Sequence, residues 1–415
     1  MSEIRCLHNV TRADGPGDEL WMIDGLIAEP PASSSEVERI DTEGGWWLPL
    51  AVDLCARVRE PGATHKANIA TETAAAIRSG VGSLCVPPDS KPVVDQPAVV
   101  DWIADRASTA EASIHLLGAL TEGLAGQALS DLDALLAAGC VGVAQPRRLP
   151  DVTLLRQALQ FAAGIGCTVH LDPVDRGLAA DGVAHAGRPA MRAGLTGIPA
   201  SAESIGTAIA LELARDTGCR IHLGRLTTAR AMALVRAAKH DGVAVTCDVA
   251  VHHLFLNDQV LERLDPAYRL DPPLRTEADR QALLTAVGDG TVDAVCSDHA
   301  PQDENAKTDP YPLTEPGGST IEQLVPAIAT LAQQNSWGLG RVAELLVQAP
   351  SRILGLEAVS MTPGTPAHGV LLRPLDHHVD HQTMRSAGYG TPMQDIELQW
   401  TVAEVWRDGR MIALV

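Results

Sequence analysis

The chain predicts an α/β protein: a (β/α)8 barrel of the TIM type, with a small β domain formed by the N- and C-terminal segments. Three observations carry this. Short apolar runs alternate with longer amphipathic stretches rich in Ala and Leu through the middle of the chain. Eight such runs fall within the roughly 250 residues that a closed barrel of βα units needs. The two ends lack the alternation and carry hairpin signals instead. Residues 47–360 are assigned to the barrel, and residues 1–46 and 361–415 to the β domain.

The strand candidates are Trp47–Leu54, Ser83–Val86, Ser113–Leu117, Val141–Ala144, Cys167–Leu171, Arg220–Leu223, Val243–Val249 and Ala294–Cys296. Between them Ile69–Ser79, Ser130–Ala138, Leu154–Ala163, Ser201–Arg215 and Thr228–His240 read as helices. Strands joined through helices pair in parallel, which fits a closed barrel or its rival, a doubly wound open sheet. At the ends, Leu20–Ile27 reads as strand–turn–strand about Asp24-Gly25. Gly369–Leu372, Leu398–Val405 and Met411–Val415 read as further strands, with Asp408-Gly409 at a turn. Helical segments near 319–335 and 340–354 link the two parts. The polar, Pro- and Gly-rich stretch 302–318 reads as a mobile loop on the C-terminal face of the barrel, where lids occur.

Composition narrows the function. Apolar residues make up 46% and aromatics 3%, so the core is aliphatic. A net charge of −20 argues against nucleic acid or an anionic membrane as partner. The eight cysteines are scattered without a CxxC pair and read as reduced core thiols of a cytoplasmic protein. Met1–Asn9 lacks the apolar core of a signal peptide, and no apolar run reaches 18 residues.

Residues 53–62 read DLCARVREPG. The segment resembles the first-strand signature of the cyclic amidohydrolases, and of dihydroorotases in particular: Asp-x-His-x-His-x-Arg-x-Pro-Gly, whose two His bind zinc. Cys55 and Arg57 stand at the His positions, while Asp53, Arg59, Pro61 and Gly62 are intact. Arginine has only donors and stays protonated, so it cannot ligate a metal. The fourth strand ends in Gln145, where the family places a bridging carboxylated Lys or an Asp. In VHLDP, His170 matches a metal-binding His; in IHLGRLTTAR, Arg225 stands at a ligand His. In CSDHAPQ, Asp298 matches the metal-binding, proton-transferring aspartate, His299 is present, and Gln302 replaces the last His of the signature. Of the positions that hold substrate in the family, Arg59 and Arg275 are kept, whereas Asp89 and Asp271 stand where Asn is expected. REPGATHK, HHLFL, DPPLR and SDHAP carry the resemblance over nearly the whole chain.

A hydrolytic zinc site needs three or four His, carboxylate or Cys ligands per ion and an open position for water. The resemblance therefore implies a disabled site: no zinc, no catalytic residue beyond a vestigial Asp298, and no substrate binding at Arg59, Asp89 and Asp271. Two arginines pointing into the old pocket would oppose a divalent ion, one of them alone by roughly 8 kcal/mol at about 4 Å and an effective dielectric of about 20. They would instead pair with Asp298, Asp53 or Asp172. Cys55 reads as a buried thiol, and His170 as a hydrogen-bonded core histidine. The family includes non-catalytic dihydroorotase-like chains that bind aspartate carbamoyltransferase. The expectation is a pseudoenzyme of pyrimidine biosynthesis, a homodimer within a larger hetero-oligomer with carbamoyltransferase catalytic chains. The alternatives are a residual metal-dependent dihydroorotase using Cys55, His170 and Asp298, and a metal-free small-molecule binder.

Overall fold

The computed structural model describes residues 3–13, 15, 17–31, 37–146, 148–357, 359 and 361–414. Its centre is an eight-stranded parallel sheet whose strands follow one another in chain order. They are β1 (Ala51–Asp53), β2 (Val81–Val86), β3 (Ser113–Ala119), β4 (Gly142–Gln145), β5 (Val169–Leu171), β6 (Ile221–Leu223), β7 (Val245–Ala250) and β8 (Ala294–Cys296). A parallel bridge between Ala56 and His299 closes the ring just beyond β1 and β8. At this seam Arg57 N donates to the His299 carbonyl at 2.8 Å, and His299 N to the Cys55 carbonyl at 3.2 Å. The sheet is thus a closed barrel and not an open doubly wound one.

The expected βα alternation is present. Helices Ile69–Arg78, Leu132–Ala137, Val152–Gly164, Ala200–Thr217 and Ala229–His240 follow strands as the apolar periodicity requires. Asn68, Asp131, Asp151 and Thr228 cap four of them by accepting backbone N–H groups in the first turn. The apolar faces of strands and helices merge into one aliphatic core.

One strand assignment needs correction. The run expected as a single strand from Trp47 to Leu54 is two strands, parted at Leu50. Its first half, Trp46–Pro49, pairs with Gly369–Leu372 in a five-stranded sheet that also contains Thr11–Arg12, Glu397–Arg407 and Arg410–Ile412. A continuous apolar run cannot reveal such a break, because both halves are buried, one in each part of the molecule. A second sheet orders Leu26–Ala28, Glu19–Ile23, Ile4–His8 and Glu38–Asp41 side by side. Leu7, Leu20, Met22, Trp47, Leu371 and Trp406 pack between the two sheets. The last strand ends at Ile412, and Val415 lies outside the described residues.

The stretch 302–318 does lie over the C-terminal face, but it is docked there. Tyr311 is buried and donates to the Tyr268 carbonyl at 3.1 Å. Gln302 Nε2 donates to the Pro316 carbonyl at 2.7 Å, and Gly317 N to the Arg269 carbonyl at 2.8 Å. Among the described residues no helix is long and apolar enough to cross a membrane.

Candidate functional site

The C-terminal ends of the strands converge at one mouth of the barrel. Cys55 and Arg57 follow β1, Asp172 follows β5, Arg225 follows β6 and Asp298 follows β8. Arg57, Arg225 and Asp298 are 8%, 5% and 6% exposed, so all three are essentially out of water.

The two arginines converge on one carboxylate oxygen. Arg57 Nη1 donates to Asp298 Oδ1 at 3.2 Å, and Arg225 Nη1 to the same atom at 2.8 Å. Arg57 Nε also donates to both oxygens of Asp89, at 3.2 and 3.0 Å. Arg225 Nη2 reaches Asp172, its Nη1 donates to the Asp271 carbonyl at 3.0 Å, and its backbone N donates to Asp248 Oδ1 at 2.6 Å. Burial works against the charge on both guanidiniums, but the carboxylates around them (Asp89 foremost for Arg57, Asp172 for Arg225) hold both pKa values above the ordinary one.

Arg59, Arg225 and Asp298 all carry left-handed backbone, at φ 62, 54 and 47°. Non-glycine residues adopt it at a cost of order 1–3 kcal/mol each. The strand ends thus keep a strained geometry around the charge cluster.

Cys55 is a buried thiol. It lies 3.7 Å from Asp298 Oδ1 and receives Arg57 Nη1 at 3.7 Å. Burial pushes its pKa well up, against the pull of Arg57 and Arg225. Gln145 turns away from the cluster: its Oε1 accepts from Thr121 Oγ1 at 2.8 Å, and its Nε2 donates to the Leu124 carbonyl at 3.3 Å. His170 is buried as expected, yet its Nε2 has no hydrogen-bond partner among the described residues. It packs against the His222 ring at 5.0 Å, and burial, then the neighbouring His222, pushes its pKa well down. The expectation of a hydrogen-bonded core histidine therefore fails at that nitrogen. Two small cavities flank the cluster: one of about 40 Å³ lined by Cys55, Arg57, His170, Asp172, Arg225 and Asp248 among others, and one of about 120 Å³ lined by Arg57, Arg59, Asp271, Asp298 and Gln302 among others.

Asp53, one of three carboxylates offered to the arginines, is instead taken by the backbone. It accepts from Ser297 N at 2.9 Å, from Cys55 N at 3.2 Å and from the Ser297 hydroxyl. Burial raises its pKa to about 6 even so. Arg59 Nε donates to the Pro301 carbonyl at 2.8 Å. Asp271 Oδ1 accepts from Arg148 at 3.5 Å. Arg275 is buried and donates to Thr227 Oγ1, His185 Nδ1 and the Ile198 carbonyl, so it braces loops. His299 Nε2 bonds Glu72 at 2.7 Å while its Nδ1 accepts from Thr320 N at 3.1 Å, and Lys66 donates to Gln302 Oε1 at 2.7 Å.

Sequence reasoning missed two features. One is the Arg57–Asp89 pair, although both residues depart from the family pattern with opposite charge, which was the available signal. The other is the column inside the barrel, where strand register brings His170, His222 and Thr246 level. His222 Nε2 bonds Asp248 Oδ2 and its Nδ1 meets Thr246 Oγ1, both at 2.9 Å.

This donor set does not fit a zinc ion. Two guanidiniums occupy ligand positions and already neutralise Asp298, and among the described residues no three His, Cys, Asp or Glu side chains are grouped to hold a metal. No metal-dependent step can be derived from these residues.

A dihydro-orotase-like family model matches residues 45–231. A dihydroorotase-like protein of Pseudomonas aeruginosa is 40% identical over 368 residues, covering 88% of this chain and 87% of that protein. A Pseudomonas putida protein of the same description is 38% identical over the same length. A dihydroorotase of Desulforapulum autotrophicum is 32% identical over 402 residues, covering 95% and 94%. Among solved structures, the L-hydantoinase (dihydropyrimidinase) of Arthrobacter aurescens superposes with a TM-score of 0.84 over 100% of this chain and 96% of that one, at 19% identity, a likeness of fold. From these matches and the strand-end motifs, the chain belongs to the dihydroorotase-like family of the amidohydrolase superfamily.

Proposed function

We propose that this protein is a catalytically inactive member of its family, a structural subunit needed for the assembly and activity of aspartate carbamoyltransferase. The observation that carries the reading is the pair Arg57 and Arg225 on the single carboxylate of Asp298. The arginines take over the metal's electrostatic role at Asp298, and Asp89 and Asp172 each pair with one of them, so that three carboxylates face two guanidiniums. Without a bound metal to lower its pKa, water remains a poor nucleophile near neutral pH. The raised pKa of Cys55 and the lowered pKa of His170 leave neither as a charged acid–base group near pH 7.

Two considerations support a scaffold. The fold is intact over the length shared with its relatives, while the departures concentrate at the ligand positions. Two Pseudomonas relatives, at 40% and 38% identity, bear the name dihydroorotase-like protein, whereas the dihydroorotases of Desulforapulum autotrophicum and Pelotomaculum thermopropionicum stand at 32% and 33%. The partner itself follows from the resemblance to non-catalytic family members. A dimer joined to trimers closes a point group, as in a six-plus-six complex.

The test has two arms. The carbamoyltransferase is expressed with and without this chain, and mass, composition and activity are measured; we expect co-elution and dependence on this chain. Identical assembly and activity in both cases would sink the scaffold role. Elemental analysis after purification in zinc-containing buffer should find no stoichiometric ion. One tightly held ion per chain, with dihydroorotate hydrolysis abolished by Asp298→Ala, would establish the alternative of a residual metal site at Cys55, His170 and Asp298.

A further inference from the structure

The N-terminal mouth of the barrel, opposite the charge cluster, holds a cavity of about 550 Å³. That is the volume of a small-molecule site and exceeds both cavities beside the charge cluster. Its position follows from register. Thr168, Arg220 and Ala244 precede β5, β6 and β7 by one residue each, so they form one inward-facing layer below His170, His222 and Thr246. The helix Ala349–Leu354 and Ile165 supply apolar wall.

The polar groups around this wall are unequal in charge. Asp293 is already engaged, by Lys239 Nζ at 2.6 Å and by the Cys247 N–H at 2.7 Å. Arg352 faces Glu344. Arg220 donates to the Gly166 carbonyl and pairs with no carboxylate among the described residues, so its charge is the local excess. At the inner end Thr246 Oγ1 is held by His222 Nδ1. An apolar-walled cavity with one surplus guanidinium at its rim is complementary to an apolar body carrying one negative charge.

We propose that this cavity is a ligand site for an amphipathic monoanion, a flat or aliphatic apolar body bearing one carboxylate or sulfonate. It lies outside the strand-end pocket and does not rest on the scaffold reading. The Thr246–His222–Asp248 hydrogen bonds lead from its floor to the backbone N–H of Arg225, so an occupied cavity touches the same column that steadies the charge cluster.

The test uses two fluorescent probes of similar body on the purified full-length protein: 1-anilinonaphthalene-8-sulfonate, an anion, and N-phenyl-1-naphthylamine, its neutral counterpart. We expect one saturable site for the sulfonate, with the neutral probe at least tenfold weaker. Ala244→Trp, which fills the mouth, should abolish saturable sulfonate binding while the circular dichroism stays native. Ala349→Trp fills the cavity from the helix and serves if the first variant misfolds. Arg220→Gln should bring the two probes to equal affinity. Unchanged sulfonate binding in a natively folded filled variant overturns the site, and so does equal affinity of both probes for the unmodified protein.

Discussion

Removing Asp298 tests the electrostatic argument most directly. Arg57 Nη1 and Arg225 Nη1 lie 3.2 and 2.8 Å from the same oxygen, which keeps the two cations close. In Asp298→Ala they face each other across at most about 6 Å, a repulsion of about 3 kcal/mol at an effective dielectric of about 20. Asp89 and Asp172 remain as partners, so the loss stays within the range of about 3–5 kcal/mol for breaking a buried pair. Unfolding entropy near 2.1 cal/mol/K per residue, taken over the whole chain, turns this into a fall in Tm of roughly 3–6 °C. Thermal melts and urea titrations of wild type, Asp298→Ala, Arg225→Met and the double variant measure it. Arg225→Met should cost less in the Asp298→Ala background than alone, because the Arg225–Asp298 bond is already lost there and the two arginines then repel, with a coupling of about 1–3 kcal/mol. A Tm unchanged by Asp298→Ala, or fully additive costs in the double variant, would refute the claim that the carboxylate bridges the two arginines.

Further outcomes follow from neighbouring groups. Asp89→Leu should destabilise by about 2–4 kcal/mol by leaving Arg57 half-paired, and Arg57→Met on that background should recover part of it; a urea double-mutant cycle checks this. Burial would raise the pKa of Glu72, but its hydrogen bond and charge pairing with His299 hold it below the ordinary value. Its contribution is thus present above about pH 4.5 and lost as pH falls through the depressed value. Glu72→Gln should therefore be less stable than wild type by roughly 1–3 kcal/mol at pH 7, with the gap narrowing as the pH falls below about 4.5. Burial, then the charge of Arg225, lowers the pKa of His252 to about 3, and neither ring nitrogen has a partner among the described residues. The stability tied to its neutral form is full above its unfolded pKa of about 6.5 and falls away below it. His252→Phe should gain about 2 kcal/mol relative to wild type between pH 8 and pH 5, read from urea midpoints at each pH.

The barrel was legible because its signals are local. Apolar runs such as Ser113–Leu117 and amphipathic stretches such as Thr228–His240 repeat in order, and a parallel sheet with helices outside buries them in one way. The strand-end residues were legible for a related reason: in this architecture the C-terminal end of a strand faces the site, so Cys55, Arg57, His170, Arg225 and Asp298 could be named from strand boundaries and motif positions. The break at Leu50 was not legible, because burial in two different parts of the molecule leaves the same apolar signature as burial in one.

What the sequence by itself determined is the inventory: two guanidiniums at positions where the family motif has His, an amide where it has a Lys or Asp, and several carboxylates nearby. Which carboxylate answers which arginine was decided by the tertiary structure. Asp53 and Asp298 both lie near the seam, yet Asp53 is claimed by the Ser297 and Cys55 backbone, and Asp298, on left-handed backbone, is left to face the arginines. Asp89 reaches Arg57 from a loop after β2, a contact across 32 residues of sequence. Charge complementarity is visible in a sequence, but an ion pair depends on distances of a few ångströms, and those exist only once the barrel has closed.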